Sequence, residues 1–261
     1  MKKFKKIISL GLVSVFALSL VACGTSKKES TKTSTAKATK YLIATDTTFA
    51  PFEFQDKSGK YVGIDIELLA AIAKDQGFEY ELQALGFNAA VQALESKQVD
   101  GVIAGMSITD ERKAKFDFSD PYFDSGVVMG IAADNSAIKT YDDLKGKKVA
   151  VKDGTEGATF ADSIKANFGF ETVSFADSAN MYEDVKVGNT VACFEDYPVL
   201  GYAISQDVGL KIVTEKEKGS SYGFAVSKGE NAELLKMFNT GFANIKADGT
   251  YQEILDKYIA E

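Results

Sequence analysis

The sequence predicts an α/β fold built from two successive strand–helix blocks, and three observations carry that prediction. Short apolar runs alternate with amphipathic stretches along most of the chain, the rhythm of parallel strands joined by helices. Glycine stands where a helix should stop, as at Gly77. At 261 residues, 45% hydrophobic and 26% charged, the chain has ordinary globular composition and enough length for one large domain or two smaller ones.

The first 22 residues stand outside this rhythm. Lys2, Lys3, Lys5 and Lys6 make a basic start, and Ile7–Ala22 is an apolar run short for a membrane span, so residues 1–22 read as a signal peptide. The run ends in Leu20-Val21-Ala22-Cys23-Gly24, which resembles the bacterial lipoprotein processing box. That resemblance implies cleavage before Cys23 and lipidation of its sulfur, with palmitate-type chains holding the protein on the extracytoplasmic face of the cell membrane, as on a Gram-positive surface. Residues 23–40 are rich in Ser, Thr, Lys and Ala, without an aromatic or large aliphatic residue, and predict a flexible tether.

Order is expected from Tyr41. Tyr41–Thr45 reads as a strand, Asp65–Asp75 as a helix with Ile66, Leu69, Ala70 and Ala73 on its apolar face, and Tyr80–Leu85 as a strand. Asn88–Lys97 reads as a helix and Val102–Ala104 as a strand that runs into a helix start. There Thr109 suits an N-cap, Asp110 and Glu111 suit the first turn, and Arg112 lies one turn in. Hydroxyl, N–H groups and guanidinium converging at a strand's carboxyl end make a cradle for a carboxylate, although an ordinary capped helix fits this stretch as well.

Gly126–Ala132 opens the second block. A turn over Tyr141–Gly146 precedes strand Lys148–Val151, and Gly154-Thr155-Glu156-Gly157 starts a helix over Ala158–Asn167. Strand Glu171–Phe175, helix Ala179–Val187, strand Thr190–Phe194, helix Tyr197–Ser205 and strand Lys211–Thr214 follow. Strand Tyr222–Val226 and helices Ala232–Ala247 and Thr250–Ile259 finish the chain. No linker separates the blocks, so they are either consecutive or one is inserted into the other.

Composition excludes several chemistries. There is no His, which removes His-based triads and imidazole metal sites, and two Cys build neither a disulfide framework nor a thiolate zinc site. Cys193, in Val191-Ala192-Cys193-Phe194, reads as an inert core thiol. Neither metal nor cofactor is expected. The net charge is −7, and loss of residues 1–22, with four lysines and no acid, takes it to −11, which argues against nucleic acid as a partner.

Five stretches in order carry a resemblance: Thr45–Phe54, Gly63–Leu68, Gly105–Arg112 with Asp117–Tyr122, Lys147–Gly154 and Ala247–Tyr251. Together they are similar to the extracellular solute-binding proteins of bacterial polar amino-acid ABC importers, most of all to glutamine-binding proteins. The resemblance implies a two-lobed periplasmic-binding-protein-like fold of type II, with the second lobe inserted into the first. Mapped here, lobe 1 is 41–121 with 223–261, lobe 2 is 127–217, and hinge crossovers fall at 122–126 and 218–222. It implies a monomer that binds a free amino acid and hands it to a membrane permease.

A desolvated amino acid needs a partner for its carboxylate, its ammonium and its side chain. Arg112 and the N–H groups of Ser107, Thr155 and Glu156 are the candidates for the carboxylate. Asp196, with Ser107 and the Gly105 carbonyl, is the candidate for the ammonium, either instead of or besides capping the following helix. Phe49 and Phe87 match the aromatic positions that sandwich the ligand in relatives. Asp46, Lys152 and Glu195 are expected to read the side chain. An ammonium among acids suits a neutral amide, which favours glutamine, then asparagine. If Glu195 pairs with Lys152 instead, histidine or a basic amino acid is admitted, and an acidic ligand is a further alternative. The protein is expected not to be an enzyme. The competing readings are a dehydratase-like enzyme on the same fold, or a sensor or adhesion module, the latter disfavoured because the chain ends at Glu261 without a further domain.

Overall fold

Small and β-branched residues buried on both faces select the central strands of two sheets. The structure, a computed structural model, describes residues 40–259; the expected signal peptide, the lipidated Cys23 and all of the tether before Lys40 lie outside them. The first part runs β1 (Lys40–Thr45), β2 (Thr48–Phe49), β3 (Glu53–Gln55), β4 (Tyr61–Val62), α1 (Ile64–Gln76), β5 (Glu79–Ala84), α2 (Phe87–Glu95), β6 (Gly101–Val102), α3 (Asp110–Lys115) and β7 (Phe116–Phe118). The middle runs β8 (Phe123–Ala132), a 3-10 turn (Tyr141–Leu144), β9 (Lys148–Lys152), α4 (Glu156–Phe168), β10 (Glu171–Phe175), α5 (Ser178–Lys186), β11 (Ala192–Asp196), α6 (Tyr197–Ser205), β12 (Leu210–Ile212) and β13 (Glu217–Tyr222). β14 (Ala225–Ser227), α7 (Ala232–Ala247) and α8 (Thr250–Tyr258) complete it.

The first sheet has the order β5–β1–β6–β14–β7, with β1 parallel to β5 and β6, and β14 antiparallel to β6 and β7. The second has the order β10–β9–β11–β8–β12, with β9 parallel to β10 and β11 and β8 antiparallel to β11, β12 and β13. Helices cover both faces of each sheet. In the second, Val149 and Val151 pack with Phe160 of α4, while Ala150 between them packs with Met181 of α5 and Leu200 of α6. The same alternation sends Phe194 to one core and Cys193 to the other. Each fully buried Phe or Leu in these cores contributes roughly 1.5–3 kcal/mol.

The chain leaves the first sheet after β7 and returns to it at β14. The two passing segments pair with each other, Phe123 opposite Tyr222, Asp124 opposite Ser221 and Ser125 opposite Ser220. This pairing divides a strand that the sequence predicts as continuous over Tyr222–Val226. Tyr222 ends β13 beside Phe123, whereas Ala225 begins β14 beside Val102 and Phe118. Gly223 lies between them because a Cβ there would come within 2.8 Å of Ile108 Cδ1.

The buried face of α1 also differs from expectation. Ile64, Leu68, Leu69, Ile72 and Ala73 are buried, Ile66 is half-buried and Ala70 is exposed. The helix is pressed between the first sheet and α7, where Gly241 lets the two helices approach, so the buried rows follow i and i+4 from Ile64 and Asp65. The three-stranded sheet β2–β3–β4 and strand β7 carry too few residues to show a period, and the sequence did not predict them.

Gly63, before α1, has φ +129°, and a Cβ there would sit 2.1 Å from the Phe52 carbonyl oxygen. Gly63→Ala is expected to destabilise the fold by about 3–5 kcal/mol, lowering the melting temperature by roughly 10 °C. Gly201, inside α6 with open space for 4 Å around the place a Cβ would take, is the control. Gly201→Ala is expected to raise stability by up to about 1 kcal/mol. Thermal melts of the two variants check both signs.

Candidate functional site

The carboxyl ends of β1, β9 and β11 and the loop after β6 converge, and this is where the buried charge lies. Among the described residues the buried charged side chains are Asp46, Glu53, Asp65, Lys152, Glu195 and Asp196. All of them are in or around this convergence. Charge is rarely buried without a partner, so its confinement to one place marks the site.

Asp46 follows β1 and is fully buried; its Oδ1 accepts from the N–H groups of Thr47 at 2.6 Å and Phe87 at 3.1 Å. Its Oδ2 is paired with Nζ of Lys152, the last residue of β9, which is 1% exposed. The Lys152 ammonium also lies 4.9 Å from the centre of the Phe49 ring. One ion pair therefore joins the first sheet to the second.

Glu195 and Asp196 end β11. Glu195 Oε2 accepts from Ser178 Oγ at 2.9 Å and Tyr182 Oη at 3.1 Å, and Oε1 accepts from the Asp196 N–H at 2.9 Å. Lys152 is thus paired with Asp46, and the alternative in which it pairs with Glu195 is corrected: donors from α5 already occupy Glu195. Burial raises the Glu195 carboxyl above its ordinary range, while Lys152 and the hydrogen bonds pull it back. Asp196 heads α6, but its side chain makes no capping hydrogen bond. Instead Oδ2 accepts from Tyr222 Oη at 2.5 Å. Pro198 in the first turn of α6 removes one of the two N–H groups that an N-cap side chain can reach. Burial and the charge of Glu195 push Asp196 up to about 7.

The third corner is formed as the caps anticipate. Thr109 Oγ1 accepts from the Arg112 N–H at 3.2 Å, fixing the start of α3. Arg112, half-buried, stacks its guanidinium 5.2 Å from the centre of Phe87. Its Nη1 donates to the Ser107 carbonyl at 2.8 Å and its Nη2 to the Gly154 carbonyl, from the second block, at 2.9 Å. Burial lowers the Arg112 pKa, countered chiefly by Glu156 and Asp196. Thr155 caps α4, accepting from the Ala158 N–H at 3.3 Å and donating from Oγ1 to the Lys152 carbonyl at 2.7 Å. Glu156 is the first residue of α4, half-buried, and its end of the helix presents N–H groups without intrahelical acceptors. Ser107 Oγ is 3.3 Å from Ser220 Oγ, and Gly105 takes φ +52° where a Cβ would meet the Phe49 ring at 2.4 Å. The eleven residues expected from the sequence are thereby linked by contacts or by shared strand ends.

Two acids and a phenol were missed. Glu53, fully buried in β3, receives no donor on either carboxyl oxygen, and burial, then the charges of Asp65 and Asp46, raise it well above the carboxylate range, so that in its protonated form it donates to Asp65. Asp65, in the first turn of α1, accepts from the Gly105 N–H at 2.7 Å and Tyr122 Oη at 2.8 Å, and burial takes it to about 6. Tyr222 contacts the site through Asp196. The only local signal for the acids was a carboxyl set among large apolar residues in Pro51–Phe54 and Gly63–Leu68.

The arrangement offers five buried acids against Lys152 and Arg112, the latter the single arginine of the sequence. Protons or a cationic ligand group must make up the balance. The Cys193 thiol lies apart from this arrangement, enclosed in the core and pushed up by burial, as an inert thiol should be.

A match to the bacterial extracellular solute-binding proteins, family 3, spans residues 41–261. The arginine-binding extracellular protein ArtP of Bacillus subtilis (strain 168) is 31% identical over 255 residues, 97% of this chain and 98% of its own. Among solved structures, an ancestral arginine-binding protein bound to glutamine is 40% identical with a TM-score of 0.78, covering 85% of this chain and 98% of its own. Substrate-binding domain 2 of GlnP from Lactococcus lactis, in an open conformation, is 41% identical with a TM-score of 0.61, covering 87% and 98%.

Proposed function

The chain belongs to the bacterial extracellular solute-binding proteins of family 3, and from that premise we propose that it captures glutamine, with asparagine next, between two lobes that close on the ligand. It has the mixed α/β periplasmic-binding-protein-like fold and is a solute-binding component for polar amino-acid ABC import. The observation that carries the finer reading is the ion pair of Lys152 with Asp46 beneath Phe49. It fills with an ammonium of the protein's own the place where a cationic side chain would otherwise meet Asp46. A neutral amide suits this pair, its carbonyl toward Lys152 and its NH2 toward an acid, whereas a second cation meets repulsion.

In this reading Arg112, with N–H groups of Ser107, Thr155 and Glu156, takes the ligand carboxylate. Asp196 takes the ammonium with Ser107 and the Gly105 carbonyl, and Phe49 and Phe87 enclose the aliphatic part. Glu195 shapes the side-chain end from beneath. The lobes are 41–121 with 223–261, and 127–217, turning about 122–126 and 218–222. Bonds from Lys152 and Arg112 across the two blocks support a closed arrangement, as does the higher TM-score with the glutamine-bound relative than with the open one at almost equal identity. Lipidation at Cys23 would keep the monomer beside its permease.

The test is a thermal-shift screen of the twenty amino acids, because a ligand that binds only the folded state raises its melting temperature. Glutamine is expected to give the largest shift, about 2.7 kcal/mol of stabilisation at a hundred times its dissociation constant, with asparagine second. Silence from both overturns the amide reading. A basic amino acid is the second reading, favoured by the excess of buried acids, and a leading shift from arginine or histidine would establish it.

A further inference from the structure

We propose that Tyr222 is the positioning residue of the ammonium anchor: from the segment joining the two sheets it aims its hydroxyl at Asp196 and so sets that carboxylate's orientation and charge for the ligand. The proposal rests on Asp196 being the ammonium partner. Tyr222 is fully buried. Ser125 Oγ, on the paired crossing segment, donates to Tyr222 Oη at 3.0 Å, so the phenol proton is directed to Asp196 Oδ2 at 2.5 Å. A phenol so placed holds a carboxylate in one rotamer and favours its ionised form.

The ring cannot turn away. It meets Phe52 edge-on with centroids 5.0 Å apart and lies nearly parallel to Phe123 at 6.1 Å, with Phe49 at 6.3 Å on the ligand side. Its backbone is fixed twice, opposite Phe123 in β8 and bridged to Ser107 in the loop after β6. One residue thereby touches the crossing segments, the loop that carries Ser107 and leads into the helix of Arg112, and the acid at the end of β11. Because Tyr222 lies on a crossing, near the axis about which the second sheet would turn, its bond to Asp196 is spared by that movement, unlike the bonds of Lys152 to Asp46 and of Arg112 to the Gly154 carbonyl. The ammonium anchor is thereby preset in the unliganded protein, ready for the ligand amine.

The groups acting on Asp196 are Glu195 and Glu156, whose charges raise its proton affinity, and Tyr222 and Arg112, which lower it. Tyr222 in turn faces Ser125, Asp196 and Glu195. Ligand ammonium requires ionised Asp196, so affinity falls as pH drops below about 7. Removing the phenol donor raises the proton affinity of Asp196 and moves that fall to higher pH.

Tyr222→Phe, Ser125→Ala and Asp196→Asn are made in the full chain. Carboxyl-carbon NMR follows Asp196 in the unliganded protein, and calorimetry with L-glutamine and L-arginine follows binding between pH 5 and 9. In Tyr222→Phe the Asp196 midpoint is expected about one pH unit above the wild type. Affinity at pH 7 should fall roughly 10- to 100-fold with the glutamine-to-arginine ratio kept. Ser125→Ala should shift the midpoint in the same direction by less. An unmoved midpoint in Tyr222→Phe, or an affinity loss independent of pH, reduces Tyr222 to hinge packing and overturns the proposal. If that variant does not fold, Ser125→Ala decides by whether the midpoint moves. Wild-type affinity in Asp196→Asn, or no binding of either amino acid to the wild type, fells the underlying reading and the proposal with it. Loss in Asp196→Asn without change in Tyr222→Phe fells the proposal alone.

Discussion

Lys152→Met is expected to exchange amide selectivity for a preference for cationic side chains. The substitution keeps the length and packing of the side chain but leaves Asp46, fully buried, without its partner ammonium. Breaking a buried pair on one side costs about 3–5 kcal/mol, because the remaining charge is uncompensated. The closed arrangement should lose about that much stability at neutral pH. Arginine or lysine can return a positive charge to Asp46, whereas glutamine cannot. The arginine-to-glutamine affinity ratio should therefore rise by roughly two to three orders of magnitude. Calorimetry with both amino acids, paired with melts of the unliganded variant, reads the effect. A destabilised variant with an unchanged ratio would leave Lys152 a structural strut between the sheets.

Asp196→Asn is expected to abolish binding of every amino acid rather than change which is preferred. Truncating the charge of a buried, hydrogen-bonded pair costs about 2–5 kcal/mol or more, so affinity should fall by roughly a thousandfold for all ligands alike. Stability should move the other way. Burial raises the Asp196 pKa from 3.8 to about 7 in the unliganded fold. Its contribution to stability is therefore fully present below 3.8 and lost as pH rises through about 7. Asparagine carries no proton to lose, and the variant should melt no lower than the wild type at pH 8, and higher if Tyr222 keeps its bond to the amide oxygen. A melting temperature raised at pH 8 with binding gone would show function held at the expense of stability. Retained affinity for glutamine would assign the ammonium to another acid.

Much of the scaffold was legible because its signals are local. Thr109 before Asp110 and Glu111 states a helix start, and Gly77 at φ +71° states an end; each depends only on residues within a turn. The continuous apolar run Val149–Val151 within the expected strand Lys148–Val151 suits burial on both faces, which the split of Val149 and Ala150 between two cores reflects. The candidate residues at strand ends were legible for the same reason, since a strand's carboxyl end can be read from where its apolar run stops. Short strands escaped, as did the break at Gly223, which answers to Ile108 more than a hundred positions away.

The chain by itself determined the α/β rhythm, the caps, the absence of imidazole chemistry and a set of charged residues at strand ends. Tertiary structure alone decided who partners whom. Asp46 and Lys152 are separated by 106 positions, and only the order of two sheets brings their strand ends together. Glu195 is claimed by α5 and Asp196 by Tyr222, choices that no local pattern encodes. The reason is physical: periodicity and capping act through neighbours in the chain, whereas the energy of a buried charge depends on everything that encloses it.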